Sequence, residues 1–125
     1  MSLNVYALGS ALMDIQVHVA DARLAELGLQ KGTMRLTRRE EQENILKKLL
    51  GSDDLSLDHA DKGLSMAAGG SAANTVYGVC QLGGTAGLCG KVAADSFGAA
   101  YSRDMRESGV VFNGRPVDGV TGTCI

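Results

Sequence analysis

The sequence has no uninterrupted apolar run near the ~18 residues that a membrane-spanning helix needs, and its start lacks the charged-then-apolar order of a secretory leader. Both absences predict a cytoplasmic protein with no membrane partner. Positive charge is not in excess either. Twelve Lys and Arg against 14 Asp and Glu leave a formal net charge of -2, which offers no basic footprint to a nucleic-acid backbone, so nucleic acid is not an expected partner. Cysteine is sparse: Cys80, Cys89 and Cys124 are odd in number and show no Cys-x-x-Cys spacing. That argues against a disulfide framework and against a zinc site, and predicts reduced, largely buried thiols. His18 and His59 stand alone in sequence, so no metal site is expected.

Proline occurs once, whereas glycine supplies 17 of 125 residues, about twice the average share of roughly 7%. Glycine permits positive φ angles and close backbone approach, so its clusters mark turns or binding loops. A hydrophobic share of 45% against 21% charged predicts a globular chain, since disordered chains lack the apolar surface that offsets ordering entropy. The length suits one compact domain or a folding portion of a larger one.

Residues 4–8 form a short apolar run ending at Gly9, which suits an opening strand with Asp14 just past its end. Ile15, Val17 and Val19 then alternate with Gln16 and His18, the period of a half-exposed flap. A short helix over residues 22–27 is predicted, capped by Asp21 and stopped by Gly28, before an extended piece at residues 33–36. Thr37 and Glu40 have capping-box spacing ahead of the stripe Ile45, Leu46, Leu49 and Leu50, with Gly51 as C-cap. Residues 52–62 are acidic and polar, without the oxygen-ligand spacing of a calcium loop, and read as a solvated loop with room for a short strand. A helix over residues 71–82 stops at Gly83, with Ala72, Ala73, Val76, Val79 and Leu82 at helical spacing. A buried strand at 88–92 follows, then a helix at 96–108 with Phe97, Ala100, Tyr101 and Met105 inward, and a strand at 110–112. Strands alternating with helices predict an α/β fold, a largely parallel sheet flanked by helices. The chain ends at Ile125 inside an apparent strand, which predicts a longer parent domain.

The segment Gly69-Gly70-Ser71-Ala72-Ala73-Asn74 opens a helix. Small residues there let a ligand approach the backbone, first-turn amides offer donors, and Asn74 one turn in carries both donor and acceptor atoms. Polyols and anions both suit it. A loop whose glycines only make a turn, with Asn74 at the surface, accounts for the same residues equally well. A dinucleotide fingerprint would need Gly-x-Gly-x-x-Gly after the first strand, where this chain has Gly9-Ser10-Ala11-Leu12-Met13-Asp14. Gly90-Lys91 does not make a P-loop, because Thr85 and Val92 stand where glycine and a hydroxyl residue are required.

Four segments, Gly9 to Asp14, Gly69 to Asn74, Gly90-Lys91-Val92-Ala93-Ala94-Asp95-Ser96-Phe97-Gly98 and Thr121-Gly122-Thr123, occur in the order and spacing of the ribokinase/PfkB kinases. The chain resembles the amino-terminal part of that family over nearly its whole length. The Gly-Ser-Ala-Leu-Met-Asp opening, the Gly-Gly-Ser helix start and the Thr-Gly-Thr-Cys ending are most similar to adenosine kinases and their bacterial relatives. Ala93, where sugar kinases often carry glycine, points the same way, although ribokinase and fructokinase remain open.

The resemblance implies a ribokinase-like fold with a small β lid built from residues 15–19, 33–36 and 121–125. It implies that Asp14 and Asn74 hydrogen-bond vicinal ribose hydroxyls and that Gly69 and Gly70 bring the backbone against the sugar. Ser71, Ser10 and Leu12 join them as substrate contacts. A carboxylate accepts from two hydroxyls at once through charge-assisted bonds, although Asp14 also reads as an ordinary turn or cap residue. Also implied are ATP and Mg2+, a homodimer through the lid, and a catalytic Asp within a Gly-Ala-Gly-Asp motif that this sequence lacks and that would lie beyond Ile125. The expected activity is phosphoryl transfer from ATP to a primary hydroxyl of a nucleoside or sugar, adenosine foremost, with this chain inactive alone. A non-catalytic nucleoside- or sugar-binding module and a structural α/β domain are the competing readings.

Overall fold

The computed structural model describes residues 2–51 and 63–125. The loop expected at residues 52–62, and His59 with it, lies outside the described residues. The element order is β1 (Val5–Leu8), β2 (Leu12–Val17), α1 (Asp21–Glu26), α2 (Arg39–Leu50), β3 (Leu64–Gly69), α3 (Ser71–Gln81), β4 (Ala86–Cys89), α4 (Ser96–Glu107), β5 (Val111–Phe112) and β6 (Gly122–Cys124). Two compact units are formed. One comprises Met1–Ile15 with Met66–Cys124; the other comprises Gln16–Ser65 with Ile125.

In the first unit, β1, β4 and β5 make a parallel sheet in the order β1-β4-β5. Parallel neighbours need a crossover, and α4 provides it between β4 and β5. The central strand is buried at Ala86, Gly87 and Leu88, as expected where a strand is covered on both faces. α3 packs on β1 and β4, burying Ala73 and Val76, and α4 packs on β5. Tyr101 of α4 meets Phe112 of β5 edge-to-face with centroids 5.6 Å apart. Both rings are almost fully buried, and each large side chain so placed contributes about 1.5–3 kcal/mol. The fold is therefore the expected α/β class.

A second sheet has the order β3-β2-β6, with β2 and β6 parallel and Leu12, Met13 and Asp14 opposite Gly122, Thr123 and Cys124. Met13 and Ile15 are buried while Leu12 and Asp14 are half-buried. Asp14 thus lies inside a strand, not just past one, and β2 begins three residues before the expected flap. Pairing with β6, distant in sequence, overrides the weak β-propensity of aspartate.

Asp95 ties this sheet to α4. As the N-cap of α4 its Oδ1 accepts from the Gly98 amide at 2.7 Å and from the Thr121 hydroxyl at 2.7 Å, while Oδ2 accepts from the Thr121 amide at 2.8 Å. The Thr121 hydroxyl in turn accepts from the Ala93 amide at 3.0 Å. Backbone bonds from Ala94 to Val117 at 2.9 Å and from Val117 to Val92 at 3.1 Å extend the seam. Val92 is buried through this seam, since β4 ends at Cys89, earlier than the strand expected at 88–92.

In the second unit α2 buries Leu46 and Leu50. It ends at Gly51, whose φ of 63° is the left-handed cap that glycine adopts without a Cβ penalty. Arg23 caps it further by donating to the Lys48 carbonyl at 2.7 Å. Neither expected N-cap forms. Arg38 precedes α2 and Ala20 precedes α1, both without a side-chain cap bond. Asp21 instead pairs with Lys31 at 2.9 Å, and Glu40 and Glu41 sit in the first turn of α2, where the helix dipole favours them. No strand forms over residues 33–36, and Met34 and Leu36 are 90% and 97% exposed.

Three smaller expectations also change. Leu82 falls past the last residue of α3 and is exposed. Cys89 and Cys124 are exposed and Cys80 is half-buried, because the first two stand at strand ends. Among the described residues no helix is long and apolar enough to cross a membrane.

Asp95→Ala should destabilise the complete natural gene product by about 2–4 kcal/mol, since it removes a helix cap and strands two amides. Asp95→Asn, which keeps one acceptor oxygen, should lose about half of that. Urea denaturation measures both, and a change below about 0.5 kcal/mol for the alanine variant would mean that the seam is held by packing alone.

Candidate functional site

Three pieces of backbone converge where β3 gives way to α3. Gly70 is the N-cap of α3 with φ of 99° and ψ of 139°, a conformation essentially closed to residues with a Cβ. A Cβ there would also stand 2.5 Å from the Ser10 carbonyl oxygen, and one on Gly9 would stand 2.5 Å from Cβ of Ala72. The β1–β2 turn therefore lies directly on the start of α3, and only small residues permit it.

Gly69 adds the third piece. A Cβ on it would run into the Asp14 carboxylate, whose Cγ would be 2.5 Å away. The carboxylate thus occupies the space a Gly69 side chain would take, next to the uncapped first turn of α3, whose amides have no intrahelical partner. No hydrogen bond from another described residue occupies the half-buried Asp14 carboxylate.

Of the residues expected from sequence, the structure brings Asp14 to Gly69 and Ser10 to Gly70. Asn74 and Ser71 are exposed on the first turns of α3, the Asn74 amide donating to the Gly70 carbonyl at 2.9 Å. Leu12 points elsewhere: its side chain lies where a Cβ on Gly122 would be, so it packs along the β2–β6 pair.

Two residues of the neighbourhood were not expected at the site from sequence, Tyr101 having been read only as an inward residue of its helix. Tyr101 donates its hydroxyl to the Gly69 carbonyl at 3.2 Å, and Asp104 Oδ2 accepts from the Ala68 amide at 2.7 Å. Burial first, then the charges of Asp14 and Asp104, push the Tyr101 hydroxyl up to about 12. It stays protonated and donating throughout the neutral range. The available signal was a tyrosine and an aspartate at i,i+3 beside the buried Ala100 and Met105.

A half-buried carboxylate beside free helix amides can accept from adjacent hydroxyls and hold a polar, uncharged ligand against bare backbone. Metal ligation is a different matter. Among the described residues no group of three or more His, Cys, Asp or Glu is placed to hold a metal ion.

Residues 47–125 match the model of the pfkB family carbohydrate kinase. A fructokinase from Escherichia coli is 41% identical over 54 residues, which is 43% of this chain and 18% of that protein. Among solved structures, an adenosine kinase from Sinorhizobium meliloti superposes with a TM-score of 0.70 at 36% identity, covering 94% of this chain and 32% of that one. A probable sugar kinase from Rhizobium etli CFN 42 gives a TM-score of 0.70 at 32% identity, covering 93% and 32%. The chain spans about a third of the length of those two solved chains. With well over half of its residues inside the family model and the α/β architecture shared, the chain belongs to the pfkB family of carbohydrate kinases.

Proposed function

We propose that this chain supplies the acceptor-binding part of a kinase that moves the γ-phosphoryl group of ATP onto a primary hydroxyl of a nucleoside or sugar, with adenosine favoured. The observation that carries the reading is the Asp14 carboxylate laid against Gly69 at the open start of α3. Vicinal ribose hydroxyls present two donors at the spacing of one carboxylate, and charge-assisted bonds of this kind are the stronger ones. Gly69 and Gly70 let the sugar ring approach the backbone, Ser10 and Ser71 line the approach, and Asn74 adds a side-chain amide from α3. Asp14, Asn74, Gly69 and Gly70 are thereby the proposed acceptor contacts, and Leu12 drops to a supporting role.

In this reading β2 and β6 belong to a lid that excludes water from the transferring phosphoryl group. Catalysis would then rest on positioning and electrostatics, as in other phosphoryl transfers. ATP is the donor in the proposal. We assign no residue of this chain as general base or magnesium ligand, and we expect the 125-residue chain by itself to bind an acceptor without phosphorylating it.

The resemblance to a Sinorhizobium meliloti adenosine kinase over 94% of the chain supports the nucleoside acceptor. The match to an Escherichia coli fructokinase at 41% identity, over a shorter stretch, supports a sugar as the second reading. ADP release by the complete natural gene product, with ATP and magnesium, separates them across adenosine, other nucleosides, ribose and fructose. Adenosine-dependent ADP is the expected result. Fructose-dependent ADP would move the acceptor within the family, and ligand binding without ADP would leave a binding module.

Asp14→Ala should lower kcat/KM for the acceptor by about 10²- to 10³-fold, the loss of two charge-assisted hydrogen bonds. Near-normal turnover would remove Asp14 from the site. Gly69→Ala should raise the acceptor KM at least about tenfold, because the new methyl must displace the Asp14 carboxylate. An unchanged KM would show that the carboxylate can move aside without consequence.

A further inference from the structure

The end of β3 presents a problem that its own residues cannot solve. Ala68, Gly69 and Gly70 leave the strand and enter the uncapped start of α3, and none of the three has a side chain able to anchor it. Whatever fixes this backbone also fixes the surface on which the Asp14 carboxylate rests. Besides the pairing of β3 with β2, two groups on α4 hold it. Asp104 takes the Ala68 amide at 2.7 Å, and Tyr101 holds the Gly69 carbonyl at 3.2 Å. The two bonds bracket the one residue whose Cα abuts Asp14.

We propose that Tyr101 and Asp104 are positioning residues of the acceptor site, which hold the backbone of Ala68 and Gly69 from one face of α4 and thereby set the Asp14 carboxylate. The inference rests on the acceptor-site reading above. Stability alone does not explain the choice of residues. Ala100 and Met105 beside them are buried, and the Tyr101 ring already packs on Phe112, so phenylalanine and leucine would fill the same space. Polar groups in such a place cost free energy unless they are bonded, and both make directional bonds to the same short segment. The arrangement also maintains itself, since the raised Tyr101 hydroxyl keeps its proton and goes on donating.

Steady-state kinetics of the complete natural gene product, with adenosine and fructose as acceptors and ATP varied separately, test this. Tyr101→Phe and Asp104→Leu should each raise the acceptor KM about five- to tenfold, the factor of about one hydrogen bond, and leave the ATP KM within about twofold. Asp104→Asn keeps an oxygen for the Ala68 amide and should recover to within about twofold. In an Asp14→Asn background the further effect of Tyr101→Phe should shrink below about twofold, because the carboxylate it positions is gone. A lower melting temperature with an unchanged acceptor KM in Tyr101→Phe and Asp104→Leu would overturn the proposal, as would full additivity with Asp14→Asn. If Asp104→Leu does not fold, the near-isosteric Tyr101→Phe decides. Should neither acceptor yield ADP, calorimetric affinity for adenosine replaces KM, and the absence of any binding overturns both readings. An acceptor KM unmoved by Asp14→Asn sinks the site itself. A KM raised by Asp14→Asn but not by the α4 variants sinks the positioning role alone.

Discussion

Close approach of backbone to backbone is the constraint on which this structure depends. The turn after β1 can lie on the start of α3 only because Gly9, Gly70 and Ala72 leave no side chain in the way. The Asp14 carboxylate can lie on β3 only because Gly69 does the same. Small residues weaken strands and helices when they stand inside them. Here they are placed at a junction, where the lost side-chain packing is exchanged for a bare polar surface of amides and one carboxylate.

Such a surface needs support from elsewhere, and α4 provides part of it. At its amino end Asp95 carries Thr121 and with it β6, the strand that pairs with Asp14's own β2. One and a half turns further on, Tyr101 holds the Gly69 carbonyl, and Asp104 a turn later holds the Ala68 amide. A single helix therefore reaches both sides of the Asp14 carboxylate: the strand that neighbours it and the backbone beneath it. Its opposite duty, covering β5 through Tyr101 on Phe112, anchors that support in the core.

The chemistry proposed for the site follows from what it offers. A half-buried carboxylate and first-turn amides recognise adjacent hydroxyl groups by number and spacing, which nucleosides and sugars share. What distinguishes a base from a second sugar carbon lies outside these groups, and the family relationship alone spans both adenosine kinases and sugar kinases.

Much of the fold was legible in the sequence because it is encoded locally. The 3.6-residue stripes of α2, α3 and α4, the short apolar runs of β1 and β5, and the glycine stops at Gly51 and Gly83 are properties of neighbouring residues. The order of the four glycine-centred segments was likewise enough to name the family. The places where local reading failed share one physical cause. Asp14 sits in a strand because β6, more than a hundred residues away, pairs with it; Val92 is buried by a seam with Val117 beyond the end of β4; Asp21 does not cap α1 and pairs instead with Lys31, ten residues on. By itself the sequence determined the helices, the parallel α/β class and the candidates Asp14, Gly69, Gly70 and Asn74. Only the tertiary structure decided that Asp14 rests on Gly69 and that Tyr101 and Asp104 hold that backbone, because hydrogen bonds between segments far apart in the chain leave no periodic trace in it.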